Sequence, residues 1–115
     1  MEINSINDEY INVDDALSRV GGNMSLYKRL LGRFVEGNPY EELERALQGG
    51  DYEESTRQAH SLKGVSANLS LVKINALSVE LEKLVKGGED YSSCLAELKQ
   101  VFDITLEKIS ELIRE

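Results

Sequence analysis

Apolar residues return every three or four positions along most of the chain, and Gly-Gly pairs at 21–22, 49–50 and 87–88 interrupt that rhythm. Steps of three and four mark helices with one buried face. Val13, Ala16, Leu17 and Val20 predict a short helix near Asp14–Val20, stopped by Gly21-Gly22. Asn23 then offers an N-cap for a helix from Met24 to about Glu36, with Leu26, Tyr27, Leu30, Leu31, Phe34 and Val35 as its apolar set. Asn38 as N-cap and Pro39 at the first helical position open another helix, which Gly49-Gly50 ends. One long helix kinked at the proline is the alternative. On a continued helix Tyr40, Leu43 and Leu47 would fall on a different side from Leu30 and Phe34, so a break or strong kink is the favoured reading.

Asp51 is a good N-cap for a helix from about Tyr52 to Leu69. Its predicted buried face is Tyr52, Ser55, Ala59, Leu62, Ser66 and Leu69. Ser70 is predicted to cap the next helix, striped by Leu71, Ile74, Leu77, Leu81, Leu84 and Val85 and closed by Gly87-Gly88. The last helix runs from about Tyr91 to Arg114 and carries Leu95, Leu98, Phe102, Leu106, Ile109 and Ile113. No stretch alternates with a period of two, so no sheet is predicted. The expected fold is all-α: an antiparallel four-helix bundle with one or two additional short N-terminal helices. Residues 1–115 read as a single domain, with 1–12 a partly irregular segment from which Ile3, Ile6, Tyr10 and Ile11 could pack onto the bundle.

Charge narrows the function classes. A net charge of −8 argues against a nucleic-acid binder, whose footprint is basic, and against attraction to anionic membranes. No apolar run is long enough to span a bilayer, and the polar, acidic start does not read as a signal peptide. The lone Cys94 cannot form an internal disulfide; it reads as a small buried thiol in a reducing, cytoplasmic setting.

The candidate chemistry centres on His60, the only histidine. It lies two residues from Leu62, about 200° around a helix, so it points away from the buried face. Its outer-face neighbours are Arg57 at i−3, Lys63 at i+3 and Gly64 at i+4. Glycine inside a helix costs about 1 kcal/mol relative to alanine. Gly64 sits too far before the helix end to be a cap, and a bare backbone there leaves room for another molecule. The two cations would favour an anion at the imidazole. A plain polar surface histidine is the competing reading of the same residues.

The segment His60, Leu62, Lys63, Gly64, Ala67, Asn68 and Leu69 resembles the signature of the histidine-containing phosphotransfer (HPt) domain. The likeness extends to Val13–Asn23, to Phe34, to Gly50-Asp51 and to the Leu81-Glu82 pair. Two positions depart: Ser66 stands where Ala is usual and Ser70 where Gly is usual. The resemblance implies the same helical bundle. It implies a phosphorelay intermediate in which His60 accepts a phosphoryl group from a response-regulator receiver aspartate, or a hybrid histidine kinase, and passes it to another receiver. Lys63 would attract the phosphoryl oxygens and Gly64 would allow close approach. Arg57, Ser61, Ala67 and Asn68 would flank the site, with a structural role for Asn68 equally open; Ser66 falls on the buried side. No cofactor is expected on this chain, Mg²⁺ being expected on the partner receiver, and the protein would act as a monomer.

Two rival functions remain at this stage: a helical docking scaffold that carries no phosphate, and the phospho-accepting domain of a chemotaxis-type kinase. Other chemistries fare worse. Zinc needs several His or Cys ligands, and there is one of each. A bundle di-iron site wants paired Glu-x-x-His motifs, whereas Arg57 stands three before His60. There is no Walker loop or dinucleotide fingerprint, and a surface helix offers no oxyanion hole for a triad. Sensor-kinase dimerisation helices place an acidic residue after the histidine, where this chain has Ser61. Without an ATP-binding domain, the chain reads as a phosphoryl carrier and not as a self-sufficient kinase.

Overall fold

The structure, a computed structural model, describes residues 7–114. The described residues form six helices: α1 Val13–Arg19, α2 Met24–Gly37, α3 Pro39–Gln48, α4 Tyr52–Asn68, α5 Val72–Lys86 and α6 Ser92–Arg114. The arm formed by α2 and α3, then α4, α5 and α6, make the four sides of a bundle 43 Å long and 20 Å across. Contacts run from α3 to α4, α4 to α5, α5 to α6, and α6 back to α2, which closes the ring. α1 packs on α2 as the extra N-terminal helix.

The capping chemistry explains the element boundaries. Asn12, Asn23, Asn38 and Asp51 each accept a backbone N–H of the first helical turn that has no partner within the helix. Asn38 ends α2 and starts α3 in a left-handed conformation, φ 38°, with Pro39 next. The chain therefore breaks there and does not merely kink. The break turns Tyr40, Leu43 and Ala46 inward, out of line with Tyr27, Leu31 and Phe34. Phe34 and Tyr40, from either side of the break, both lean on Phe102 of α6, with ring centroids 5.5 and 5.7 Å away.

One cluster of buried side chains joins every helix except for the polar outer faces; Leu31, Leu43, Leu62, Ile74, Leu81, Leu98 and Ile109 are fully buried in it. Burying each such side chain stabilises by about 1.5–3 kcal/mol. Cys94 is buried too, its thiol pushed up to about 11 by that burial and by Glu80 and Glu97.

Three local expectations need correction. Tyr52 does not join the buried face of α4; it starts the helix, more than half exposed, and its hydroxyl donates to the Lys86 carbonyl. In α6 the inward residue of the last turn is Leu112, and Ile113 is exposed, because the stripe of Leu98, Val101, Phe102, Thr105 and Ile109 continues to 112. Ser70 does not cap α5. It adopts φ 55° in the turn and sends its hydroxyl to Asp15, 2.5 Å away, while α5 starts after Leu71 without a side-chain cap.

The N-terminal segment packs as expected at Tyr10 and Ile11; Ile3 and Ile6 lie outside the described residues. Ile11 bridges Leu71, the Val72 N–H donates to the Tyr10 carbonyl at 2.8 Å, and Asn12 N–H donates to Ser70 at 3.0 Å. The segment thus clamps the α4–α5 turn. Tyr27 does the same from α2, donating its hydroxyl to the Leu69 carbonyl at 2.8 Å. Both ties hold the far end of the helix that bears His60.

Candidate functional site around His60

α4 buries Ser55, Ala59, Leu62 and Ser66 and is thereby fixed about its own axis. That fixation turns His60 outward, and its side chain is 68% exposed. Beneath it the helix is braced at Lys63, whose carbonyl accepts from Ser66 Oγ at 3.1 Å and from Asn75 Nδ2 of α5 at 2.9 Å. Ser66, inferred from sequence to be a packing residue, is fully buried.

The ring is not free to rotate without cost. His60 Nδ1 lies 3.0 Å from Oε2 of Glu82, on α5. Glu82 is 7% exposed at its side chain and gathers three partners. Lys63 Nζ stands 2.7 Å from its Oε1, and Lys86 Nζ stands 3.2 Å from its Oε2. The Lys63 hydrogen bond is the main reason the Glu82 carboxyl is held down at about 2, with Lys86 and His60 adding to it against the cost of burial. Glu82 is therefore ionised at any ordinary pH and can only accept hydrogen bonds. Its partner Nδ1 must carry the proton. A neutral imidazole in that tautomer keeps its lone pair on Nε2, at the exposed edge of the ring.

The other expected residues separate into groups. Gly64 is exposed, and a Cβ built on it would meet nothing within 4 Å. Nothing inside the protein requires a glycine there. Arg57 is exposed but its guanidinium pairs with Glu54, one turn back towards the helix start. Ser61 lies on the flank of α4 opposite Glu82. With Arg33, Gln58 and Asn68 it edges a half-open cavity of about 460 Å³ floored by Leu30, Phe34, Val65 and Leu69. Ala67 and Asn68 are exposed seven and eight residues after His60, roughly 10–12 Å along the axis. That distance places them beyond contact with a group on the ring.

Lys63 is one-third exposed and already bound. From sequence alone Lys63 is expected either to attract the phosphoryl group or to be solvated; in the structure it pairs with Glu82. Glu82 and Lys86 are not among the residues that the sequence points to for chemistry. The signal was present: Glu82 is a carboxylate in the inward row Ile74, Ser78, Glu82, one residue from Leu81, and Lys86 follows it at i+4. Among the described residues no group of three or more His, Cys, Asp or Glu side chains could hold a metal ion. No helix among them is long and apolar enough to cross a membrane.

An all-helical bundle with one exposed, buttressed imidazole is the architecture of a histidine phosphotransfer module. The family model of the Hpt domain matches residues 31–112, and the chain belongs to that family. Hpt domains serve histidine phosphotransfer in two-component phosphorelays, where they interact with receiver domains and histidine kinases. The match begins within α2, so the N-terminal helix, where a likeness was also noted, lies outside it. Comparison with curated proteins and with solved structures gives no significant match.

Proposed function

We propose that His60 is the phosphoryl-carrying residue and that this chain shuttles the group between receiver aspartates. The observation that supports the reading is the Nδ1–Glu82 contact at 3.0 Å on a ring that is otherwise open to solvent. In the forward step the Nε2 lone pair forms the N–P bond. The P–O bond of the aspartyl phosphate breaks, and its electron pair leaves with the aspartate carboxylate. The proton on Nδ1 stays where it is, balanced by Glu82. Such a transfer is largely dissociative, so positioning and charge matter more than acid–base catalysis on the carrier. The receiver would supply Mg²⁺ and the aspartate.

The receiver approaches over Gly64 and the flank of α4 that faces α2 and α3. The α5 flank is filled by the Glu82 ion pairs, whereas the other offers apolar floor beginning one residue from His60, at Ser61. The direct test is incubation with a phosphorylated receiver domain. Wild-type protein should take up acid-labile, alkali-stable label, and His60→Gln should take up none. A wild-type chain that stays unlabelled with every cognate receiver would leave the docking-scaffold reading in its place.

A further inference from the structure

The cations around His60 stand at the wrong edge of the ring to meet an incoming phosphoryl group. Lys63 and Lys86 contact Glu82, which holds Nδ1, while the reactive nitrogen is Nε2. One carboxylate is thus shared by two ammonium groups, leaving the cluster with one surplus positive charge when the imidazole is neutral. A phosphorylated side chain carries close to two negative charges and three strong acceptor oxygens. Both lysines are on flexible stems, and Lys86 in particular is 56% exposed. They come from different helices, Lys63 from α4 and Lys86 from α5.

Given that His60 carries the phosphoryl group, we propose that Glu82 holds Lys63 and Lys86 in reserve, and that Lys86 moves to the phosphoryl oxygens once the N–P bond forms. Lys63 makes the same exchange from the other side. Glu82 keeps Nδ1, so the ring does not turn while the ammonium groups change partner. Lys86 is then a phosphoryl-positioning residue that the signature on α4 does not contain. The exchange makes the phosphorylated state cheaper by the amount the new charge-assisted contacts exceed the old ones. It also lets the bundle relax back when the group leaves, because Glu82 recovers both partners. Lys83, on the same helix and exposed, has no ion-pair partner among the described residues and provides the control for charge alone.

The quantity to measure is the equilibrium of phosphoryl between His60 and a receiver aspartate, with thermal melts of each variant alongside. Lys86→Ala should shift it towards the receiver by about 3–10-fold, the size expected for one partly exposed charge-assisted contact. Lys86→Arg should restore it to within about twofold, since the charge and donors return, and Lys83→Ala should leave it unmoved. Lys86→Gln replaces Lys86→Ala if the latter lowers the melt. An unchanged equilibrium in Lys86→Ala, or in Lys86→Gln where it takes that place, or an equal shift in Lys83→Ala, would overturn the proposal. In either case labelled wild-type His60 would show that the carrier reading itself still stands.

Discussion

The two flanks of α4 are built from opposite materials. On the α5 side His60, Lys63, Glu82 and Lys86 form a charged cluster in which each side chain has a partner within 3.2 Å, His60 through Nδ1 alone. On the α2–α3 side Leu30, Phe34, Val65 and Leu69 line a half-open cavity with little polar surface to satisfy. His60 stands on the ridge between them. The difference separates two tasks. Fixing the tautomer and direction of one ring takes a buried carboxylate with its own counter-ions. Receiving a folded partner takes apolar area left uncovered beside the reactive atom. A substitution on one flank should therefore damage a different step from a substitution on the other. A small phosphodonor such as phosphoramidate, which needs no docking, distinguishes the two.

Glu82→Gln should have the largest effect. The amide is neutral, can present either a donor or an acceptor to Nδ1, and leaves both lysines without a counter-charge. Uptake of phosphoryl by His60 should fall by about 10–100-fold, the loss typical when the carboxylate that orients a metal-ligating histidine is removed, since the orienting contact is the same in kind. The fall should be similar with phosphoramidate and with a receiver, because the ring itself is affected. Stability should fall too, by about 2 kcal/mol at pH 7. The sign with pH follows from the depressed carboxyl, at about 2 against an ordinary 4.5. Its contribution is complete above pH 4.5 and is lost as pH falls towards 2. The stability gap between wild type and Glu82→Gln should close over that window in chemical denaturation. A gap that stays constant from pH 7 to 2 would mean that the ion pairs do not hold the carboxylate.

Ser61→Trp and Gly64→Leu probe the other flank. Ser61 is exposed at the edge of the cavity, and a side chain at Gly64 meets open space, so both variants should melt near the wild-type temperature. Transfer from a receiver should fall about tenfold, the cost of misplacing one central contact of an interface. Labelling by phosphoramidate should be unchanged. Equal losses with both donors would show that the two flanks are not independent.

Much of this arrangement was legible in the chain because helices leave a local record. Caps such as Asn23, Asn38 and Asp51, and the three-four spacing of Ala59, Leu62 and Ser66, depend only on near neighbours. They located α4 to within a residue and turned His60 outward. What the spacing could not supply was the pairing between helices. Glu82 is 22 residues from His60, and nothing in the periodicity of α5 says which helix its carboxylate meets. Ser70 failed for a related reason. A serine between two helices is an ordinary N-cap, but Asp15, 55 residues away, takes its hydroxyl. The φ of 55° then explains why a residue without a Cβ is the usual occupant of that turn in the family resemblance.

Gly64→Ala gives the smallest effect and the sharpest separation of fold from function. The position is helical, its φ is ordinary, and the added methyl touches nothing in the protein. Alanine removes the conformational freedom that glycine loses on folding, so stability should rise by up to about 1 kcal/mol, read as a higher denaturant midpoint with unchanged slope. Phosphoramidate labelling should again be unaffected. Transfer from a receiver should slow by about two- to threefold, less than with Gly64→Leu, because a single methyl displaces the partner only slightly. A more stable protein that transfers less well is the expected mark of a glycine kept for what lands on it. If Gly64→Ala is more stable and transfers as fast as wild type, the open surface beside His60 is not where the partner sits.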